Sequence, residues 1–405
     1  MPKFIYTAKE SPTEVKEGLI EAENQEQAIK KISDLGLFPT EVIEQDLSKK
    51  LTFFQQLRQR RKIAQQDLIN FTRQLSNLLD SGLNILPSLN ILKSQLALAS
   101  FVAVIDDVAE KVKQGASFSE GLIKHENIFS SLYINVVRSG ELSGKLNNAL
   151  DTLSDFLEKK EDLRQRIIAA LVYPAIVLLV GIITVAILLI FVIPRIGRMY
   201  EDMGQVLPIP TQIVILISNT IAHYFWFLFA AIVFLIFAIN RRIKTKEGRD
   251  YFDRLKFKIP LLSIFVEKQH IVQFCRTLSL LLASGIPIVS ALELTADILT
   301  NQIFKADVAK IAKAIRGGNS LSASIKLAQH FPVQVTNIIT VAEESGTLEP
   351  SLNRIANSFE RELDRIIKAF TTTLEPVLIL LVGLVVAFIV ISMLLPIFQI
   401  NLIVG

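Results

Sequence analysis

Three stretches of this 405-residue chain carry no charged side chain: Ile167 to Pro194, Pro210 to Asn240, and Pro376 to Gly405. Each exceeds the roughly 20 apolar residues that cross a ~30 Å hydrocarbon layer, so each predicts a transmembrane helix. Lipid leaves few alternatives, because every backbone N–H and C=O there needs a partner inside the protein. We therefore expect spans at 167–194, 211–240 and 373–398. The rest of the sequence reads as amphipathic helix.

Basic residues near span ends favour the cytosolic side. Lys159, Lys160, Arg164 and Arg166 precede the first span, Arg241, Arg242, Lys244, Lys246 and Arg249 follow the second, and Arg361, Arg365 and Lys368 precede the third. The loop 195–210 instead balances Arg195 and Arg198 with Glu201 and Asp202. Residues 1–166 and 241–372 are thus expected in the cytosol, with 195–210 and the tail 399–405 on the far side. The opening MPKFIYTAKE lacks the charged, apolar and small-residue succession of a secretory signal. Within the three uncharged stretches His223 is the one plausibly ionisable group, read as interfacial or neutral, which disfavours an ion-coupled transporter.

The chain also repeats itself. FTRQLSNLLDSGLNI from Phe71 aligns with FCRTLSLLLASGIPI from Phe274, and VKQGASFSEGL from Val112 with IRGGNSLSASI from Ile315, both at an offset of 203. One residue is then lost: GELSGKL from Gly140 meets AEESGTL from Ala342 at 202. This register holds through Pro174 and Pro376, Gly181 and Gly383, and Pro194 and Pro396. The repeated unit is a helical bundle followed by its own membrane helix. Two copies entering lipid from one side need an unpaired helix between them, and the middle span supplies it.

Within a copy, Leu68, Phe71, Leu75, Leu78 and Leu79 fall at helical spacing with Asp67 as the expected N-cap. Gly82 and Gly285 are placed to close that helix in the left-handed conformation. Ser117 and Glu120 read as a capping box. Beyond Gly144 no glycine or proline intervenes before Pro174, and beyond Gly346 only Pro350 does before Pro376, so the last bundle helix is expected to run on into lipid. Asp155–Lys159, Asp162–Arg166 and Asp364–Lys368 form acid-to-base pairs four apart on it. For Gly144 and Gly346, ordinary helix termination and a special coupling role are both open. Arg73 with Arg276 and Glu141 with Glu343 recur where apolar residues would fit. An Arg–Glu pair inside each bundle and independent surface positions are both open.

Residues 1–44 alternate as strands at Phe4–Ala8 and Gly18–Ala22, with a helix capped by Asn24 and Gln27 and a third strand from Leu37 to Ile43, a small α/β module. Residues 45–64 are a basic linker, either solvated or lying on anionic lipid. The bundles are expected at 65–166 and 268–372, with a cytosolic linker at 241–267. The fold class is mainly α.

Catalytic, cofactor-binding and metal-ligating groupings do not assemble. SGELSGKL lacks the four residues between glycines and the Ser or Thr after lysine that a phosphate loop needs. His125, His223, His270 and His330 lack ligand spacing, and the lone Cys275 reads as a buried thiol. A net charge of +4 gives nucleic-acid binding no support.

The two Phe-x-Arg-x-Leu-Ser…Ser-Gly segments, GELSGKL and AEESGTL, Tyr173-Pro174, Glu375-Pro376, LPIPTQ at Leu207 and LLPIFQ at Leu394 together resemble the type II secretion F / type IV pilus C platform family, over nearly the whole chain. The resemblance implies a non-enzymatic bacterial inner-membrane platform, with the far side periplasmic and the chain oligomeric. It further implies contacts with a hexameric assembly or retraction ATPase, with pilin or pseudopilin, and with other inner-membrane alignment proteins. A membrane-anchored signalling scaffold and a small-molecule transporter are the rival readings.

Overall fold

The computed structural model describes residues 3–11, 14–22, 24–44, 63–202, 208–243, 245–328 and 330–404. Almost all of the expected basic linker 45–64 lies outside them. The chain divides into two compact units, Met1–Asn147 and Asn148–Gly405.

The first unit opens with strands β1 (Lys3–Ser11) and β2 (Glu14–Glu21), helix α1 (Gln25–Asp34) and strand β3 (Phe38–Glu44). They form an antiparallel sheet in the order β2-β1-β3, with Phe4 opposite Ile20 and Glu44. Phe4 and Ala8, four apart on one face, are buried with Val42 against Ala28 and Ile32 of α1. Asn24 caps that helix by accepting the Gln27 N–H at 2.8 Å.

Five helices follow: α2 (Gln65–Asp80), α3 (Ile85–Gln95), α4 (Ala99–Lys113), α5 (Phe118–Ile123) and α6 (Ser131–Leu142). Their core includes a run of rings, Phe101 on Phe71 at 5.4 Å, Phe71 on Phe129 at 6.4 Å and Phe129 on Tyr133 at 5.1 Å. Ala64, not Asp67, is the N-cap of α2. Asp67 sits one turn in and accepts the Ala64 N–H at 2.9 Å, which is the half of a capping box that a side chain lacking an acceptor at the cap still permits.

Helix α7 (Leu146–Ile187) begins at the boundary between the units and runs unbroken through Pro174. It opens into a π-helical segment at Leu188–Val192, immediately before Pro194. Proline has no N–H to give the carbonyl four residues back, and its ring crowds that carbonyl, so the turn widens. Helices α8 (Ile193–Asp202) and α9 (Ile209–Ile243) follow.

The second bundle comprises α10 (Lys246–Lys258), α11 (Pro260–Ala283), α12 (Ile288–Ile298), α13 (Gln302–Arg316), α14 (Leu321–Lys326) and α15 (Val333–Glu344). The expected linker 241–267 is therefore largely helical. The ring core recurs at the repeat positions, Phe274 on Phe331 at 4.9 Å and Phe304 on Phe331 at 5.8 Å. The chain ends in α16 (Leu348–Val404), 57 residues that continue through Pro376 and Pro396. Among the described residues, α7 and α16 contain two segments long and apolar enough to cross a membrane.

Candidate coupling site

The Phe-x-Arg-x-Leu-Ser segment is spent on two tasks, and both are visible in the second unit. Phe274 and Leu278 are buried in the core, whereas Arg276 and Ser279 reach α16. Ser279 Oγ donates to the carbonyl of Glu349 at 3.0 Å, in the first turn of α16. Arg276 donates to Asn357 Oδ1 at 3.1 Å and forms an ion pair with Glu360. Higher up, Lys268 pairs with Glu362 and lies 5.1 Å over the Phe359 ring. As α11 advances its partners on α16 recede, so the two helices clasp antiparallel along this face. In the first unit Ser76 Oγ makes the same bond, to the carbonyl of Asn147 in the first turn of α7, at 3.2 Å.

These contacts correct the expected Arg–Glu pairing in the second copy: the partner of Arg276 is Glu360, not Glu343. Arg73 also has a partner in the structure. The carboxylate of Glu343 turns to α14, accepting the N–H of Leu321 at 2.6 Å and of Ser322 at 2.9 Å. Glu141 does the same for α5, with Phe118 at 2.6 Å and Ser119 at 2.9 Å. The first N–H groups of a short helix have no intrahelical acceptor, and a carboxylate there answers both the missing bonds and the positive end of the helix dipole. Burial raises the Glu343 pKa, but the hydrogen bonds from Ser322 and Leu321 outweigh it and hold the group below the usual carboxylate range.

Gly144 and Gly346 lie just beyond the glutamates, both at φ +67. Lys145 N–H reaches back to the Gly140 carbonyl at 2.9 Å, and Thr347 N–H to that of Ala342 at 2.9 Å, closing α6 and α15 in the same six-to-one turn. A side chain at φ +67 costs about 1–2 kcal/mol in the left-handed region. Gly82 (φ +86) and Gly285 (φ +78) close α2 and α11 likewise. The near phosphate loop is thus a helix stop followed by the start of the long helix.

The two long helices meet in the second unit. Arg166 of α7 donates to Asp364 at 2.8 Å and comes within 3.8 Å of Glu360, rather than serving only Asp162 on its own helix. Tyr173 donates its hydroxyl to Glu375 Oε1 at 2.8 Å. These two residues are repeat equivalents, each preceding its proline. Gly181 is buried against Val382, where a Cβ would come within 2.7 Å of a methyl. Pro174 is buried and Pro376 exposed, and Pro194 is half-buried. Only the helical backbone is described for Pro396. Helix α9 joins this pair through buried hydroxyls, Thr211 Oγ1 to the Ser392 carbonyl at 2.5 Å and Ser218 Oγ to that of Leu189. Leu189, Ile193, Val214 and Ile389 pack between the three.

Sequence reasoning missed Asn357 and Glu360, set Asp364 against Lys368 and not Arg166, and missed the Tyr173–Glu375 contact. The offset of 202 carried a signal for two of them, since Glu158 and Asp162 stand at the positions of Glu360 and Asp364. The histidines are bonded within their bundles, His125 to Asp107 at 2.8 Å and His330 to Asp307 at 2.7 Å. His125 and then Lys124 hold Asp107 below the usual carboxylate range. Cys275 is fully buried, which pushes its thiol up. Among the described residues no group of three or more His, Cys, Asp or Glu is placed to hold a metal.

A family model described as type II secretion system (T2SS), protein F matches residues 71–194 and 274–396, and one for that protein's N-terminal domain matches 1–43. The matches begin at Phe71 and Phe274 and end at Pro194 and Pro396, the bounds of the internal repeat. A type IV pilus assembly protein PilC of Thermus thermophilus is 35% identical over 403 residues, covering 99% of this chain and 98% of that one. Its counterpart in Myxococcus xanthus is 32% identical over 98% of this chain and 94% of its own. A type II secretion system protein F of Vibrio cholerae is 30% identical over 99% of each. Matched in both repeats and at its N-terminus, the chain belongs to the type II secretion system protein F family, which includes the PilC proteins of type IV pili.

Proposed function

We propose that this chain is an inner-membrane platform of a type IV pilus or type II secretion machine, a non-enzymatic part that passes motion from a cytosolic assembly ATPase to pilin or pseudopilin subunits. The observation that carries this reading is α16, one unbroken helix of 57 residues clasped by a bundle at its start and apolar over its later part. A force on that bundle moves the apolar segment as a lever, without a hinge to absorb it.

In this reading α9 is the return span, giving three crossings with the N-terminus cytosolic and the C-terminus periplasmic. Its apolar sequence, the buried hydroxyls that pin it to α7 and α16, and the basic residues at its end support that role. The platform acts as a homo-oligomer beside other alignment proteins. The names of the relatives, pilus assembly and type II secretion proteins, support this assignment over a signalling scaffold or a transporter.

Crosslinking the full-length protein in its native membrane and identifying what is recovered with it tests the reading. An assembly ATPase attached through the bundles, together with a pilin, is the expected result. Recovery of signalling proteins with neither of these would replace the platform with the scaffold.

A further inference from the structure

Where α7 and α16 leave the apolar region on the bundle side, they enclose with the start of α11 an open cavity of about 320 Å³. Its walls are apolar apart from Thr371, with Leu171 from α7, Ile259 and Leu262 from the α10–α11 junction, and Phe370 from α16. The cavity continues into an apolar edge. Tyr251 (66% exposed) and Leu255 (39%) lie four apart on α10, and they lead to Ile259 (48%) and Leu262 (38%) in the cavity wall.

The opposite face of α10 is committed to the bundle. Asp253 accepts the Gln302 N–H at 3.3 Å, and the Phe257 ring stacks 6.4 Å from Phe304. The exposed apolar edge is therefore not a core face awaiting the rest of its own fold. Its charge setting is one-sided: residues 241–258 hold eight Lys and Arg against three Asp and Glu. Each wall of the cavity is bordered in the chain by basic residues, Arg166 on α7, Lys258 on α10, and Arg365 and Lys368 on α16. The carboxylates that just precede Arg365 on α16, Glu360, Glu362 and Asp364, are taken by Arg276, Lys268 and Arg166. Exposed apolar side chains among many cations suit neither open water nor the middle of a bilayer. They suit the boundary between acyl chains and anionic headgroups.

We infer that α10 and the start of α11 lie on the cytosolic leaflet, and that the cavity holds one acyl chain of an anionic phospholipid whose phosphate faces Lys258, Arg365 and Lys368. The site fills the gap between the two long helices at the level where they leave the membrane. It then makes their spacing depend on a bound lipid. The inference rests on the membrane reading of α7 and α16, and on no part of the ATPase or pilin assignment.

The test uses the full-length protein in detergent, stripped of lipid and offered equal phosphatidylglycerol and phosphatidylcholine, with bound lipid read by native mass spectrometry. Wild type is expected to retain phosphatidylglycerol. The triple variant K258Q/R365Q/K368Q should lose about 100-fold in that affinity, from roughly fivefold per basic residue, while phosphatidylcholine is unchanged. Ala170, also in the wall, offers the steric control: A170F should retain neither lipid yet melt within a few degrees of wild type. Equal retention of both lipids by wild type overturns the inference, as does undiminished phosphatidylglycerol on A170F. If A170F instead halves the mass of the assembly without changing bound lipid, a second copy covers the cavity and the inference is likewise overturned. A chain that washes out of membranes in alkaline carbonate would defeat the membrane reading itself. A chain that stays in them but shows no lipid preference defeats only the lipid site.

Discussion

The two bundles descend from one pattern, yet they agree in their joints and in their phenylalanine rings and differ in the other groups packed around those rings. Both use a glutamate to hold the first two N–H groups of the short helix, α5 or α14, at 2.6 and 2.9 Å in each copy. Both use the serine of the Phe-x-Arg-x-Leu-Ser segment to fasten the first turn of the long helix. By contrast, Thr72 bonds the buried Tyr133 hydroxyl at 3.0 Å in the first copy, where the equivalents in the second are Cys275 and Val335, both buried and apolar. The Asp–His pairs have shifted as well, since Asp107 and Asp307 are not repeat equivalents. Core volume can be met by many residues, but a helix terminus lacking partners needs a particular group in a particular place.

The largest break in this comparison is expected at the clasp. R276A strands the buried Glu360, and losing one member of a buried pair costs about 3–5 kcal/mol. Arg166, 3.8 Å away, partly compensates, so we expect the lower end, about 3 kcal/mol, read as a lowered melting temperature and faster amide exchange where α11 meets α16.

Next come the joints themselves. E141A and E343A each remove two charge-assisted bonds to backbone N–H groups, for about 2–3 kcal/mol apiece. Amide exchange should rise by roughly 30- to 150-fold in α5 for the first and α14 for the second. Similar losses in the two copies would sharpen the comparison, and a loss in one copy only would break it.

The same joint carries a pH dependence. The folded pKa of Glu343 is depressed, so its stabilisation is fully present above the unfolded value of about 4.5 and is lost as pH falls through the lower folded value. Thermal melts across that window should show a decline that E343Q flattens. The smallest effect is expected in the core: Y133F removes one hydrogen bond for about 1 kcal/mol, because Thr72 keeps its bond to the Leu68 carbonyl at 2.8 Å.

Much of this could be read from the residues, because uncharged length, breaker residues and self-similarity are local properties. Gly144 and Gly346 ending one helix, with no breaker before Pro174 in the first copy and only Pro350 before Pro376 in the second, foretold the long helices α7 and α16. The turn of Glu141 and Glu343 toward a helix terminus was not legible, since spacing alone cannot separate a capping carboxylate from one bound to arginine. The partners of Arg166 were hidden for another reason: its nearest acid in sequence is Asp162, while the acid nearest in space lies 198 residues away. The Tyr173–Glu375 contact needed α7 and α16 brought side by side, which sequence comparison shows as equivalence and not as touch.

The most direct test of the lever is the distance along α16 between spin labels at the exposed positions 354 and 391, with Cys275 too buried to react. An unbroken helix between them predicts one narrow population near ~56 Å, at 1.5 Å per residue. A broad or shorter distribution would place a hinge near Pro376 and contradict the transmission of movement from bundle to membrane.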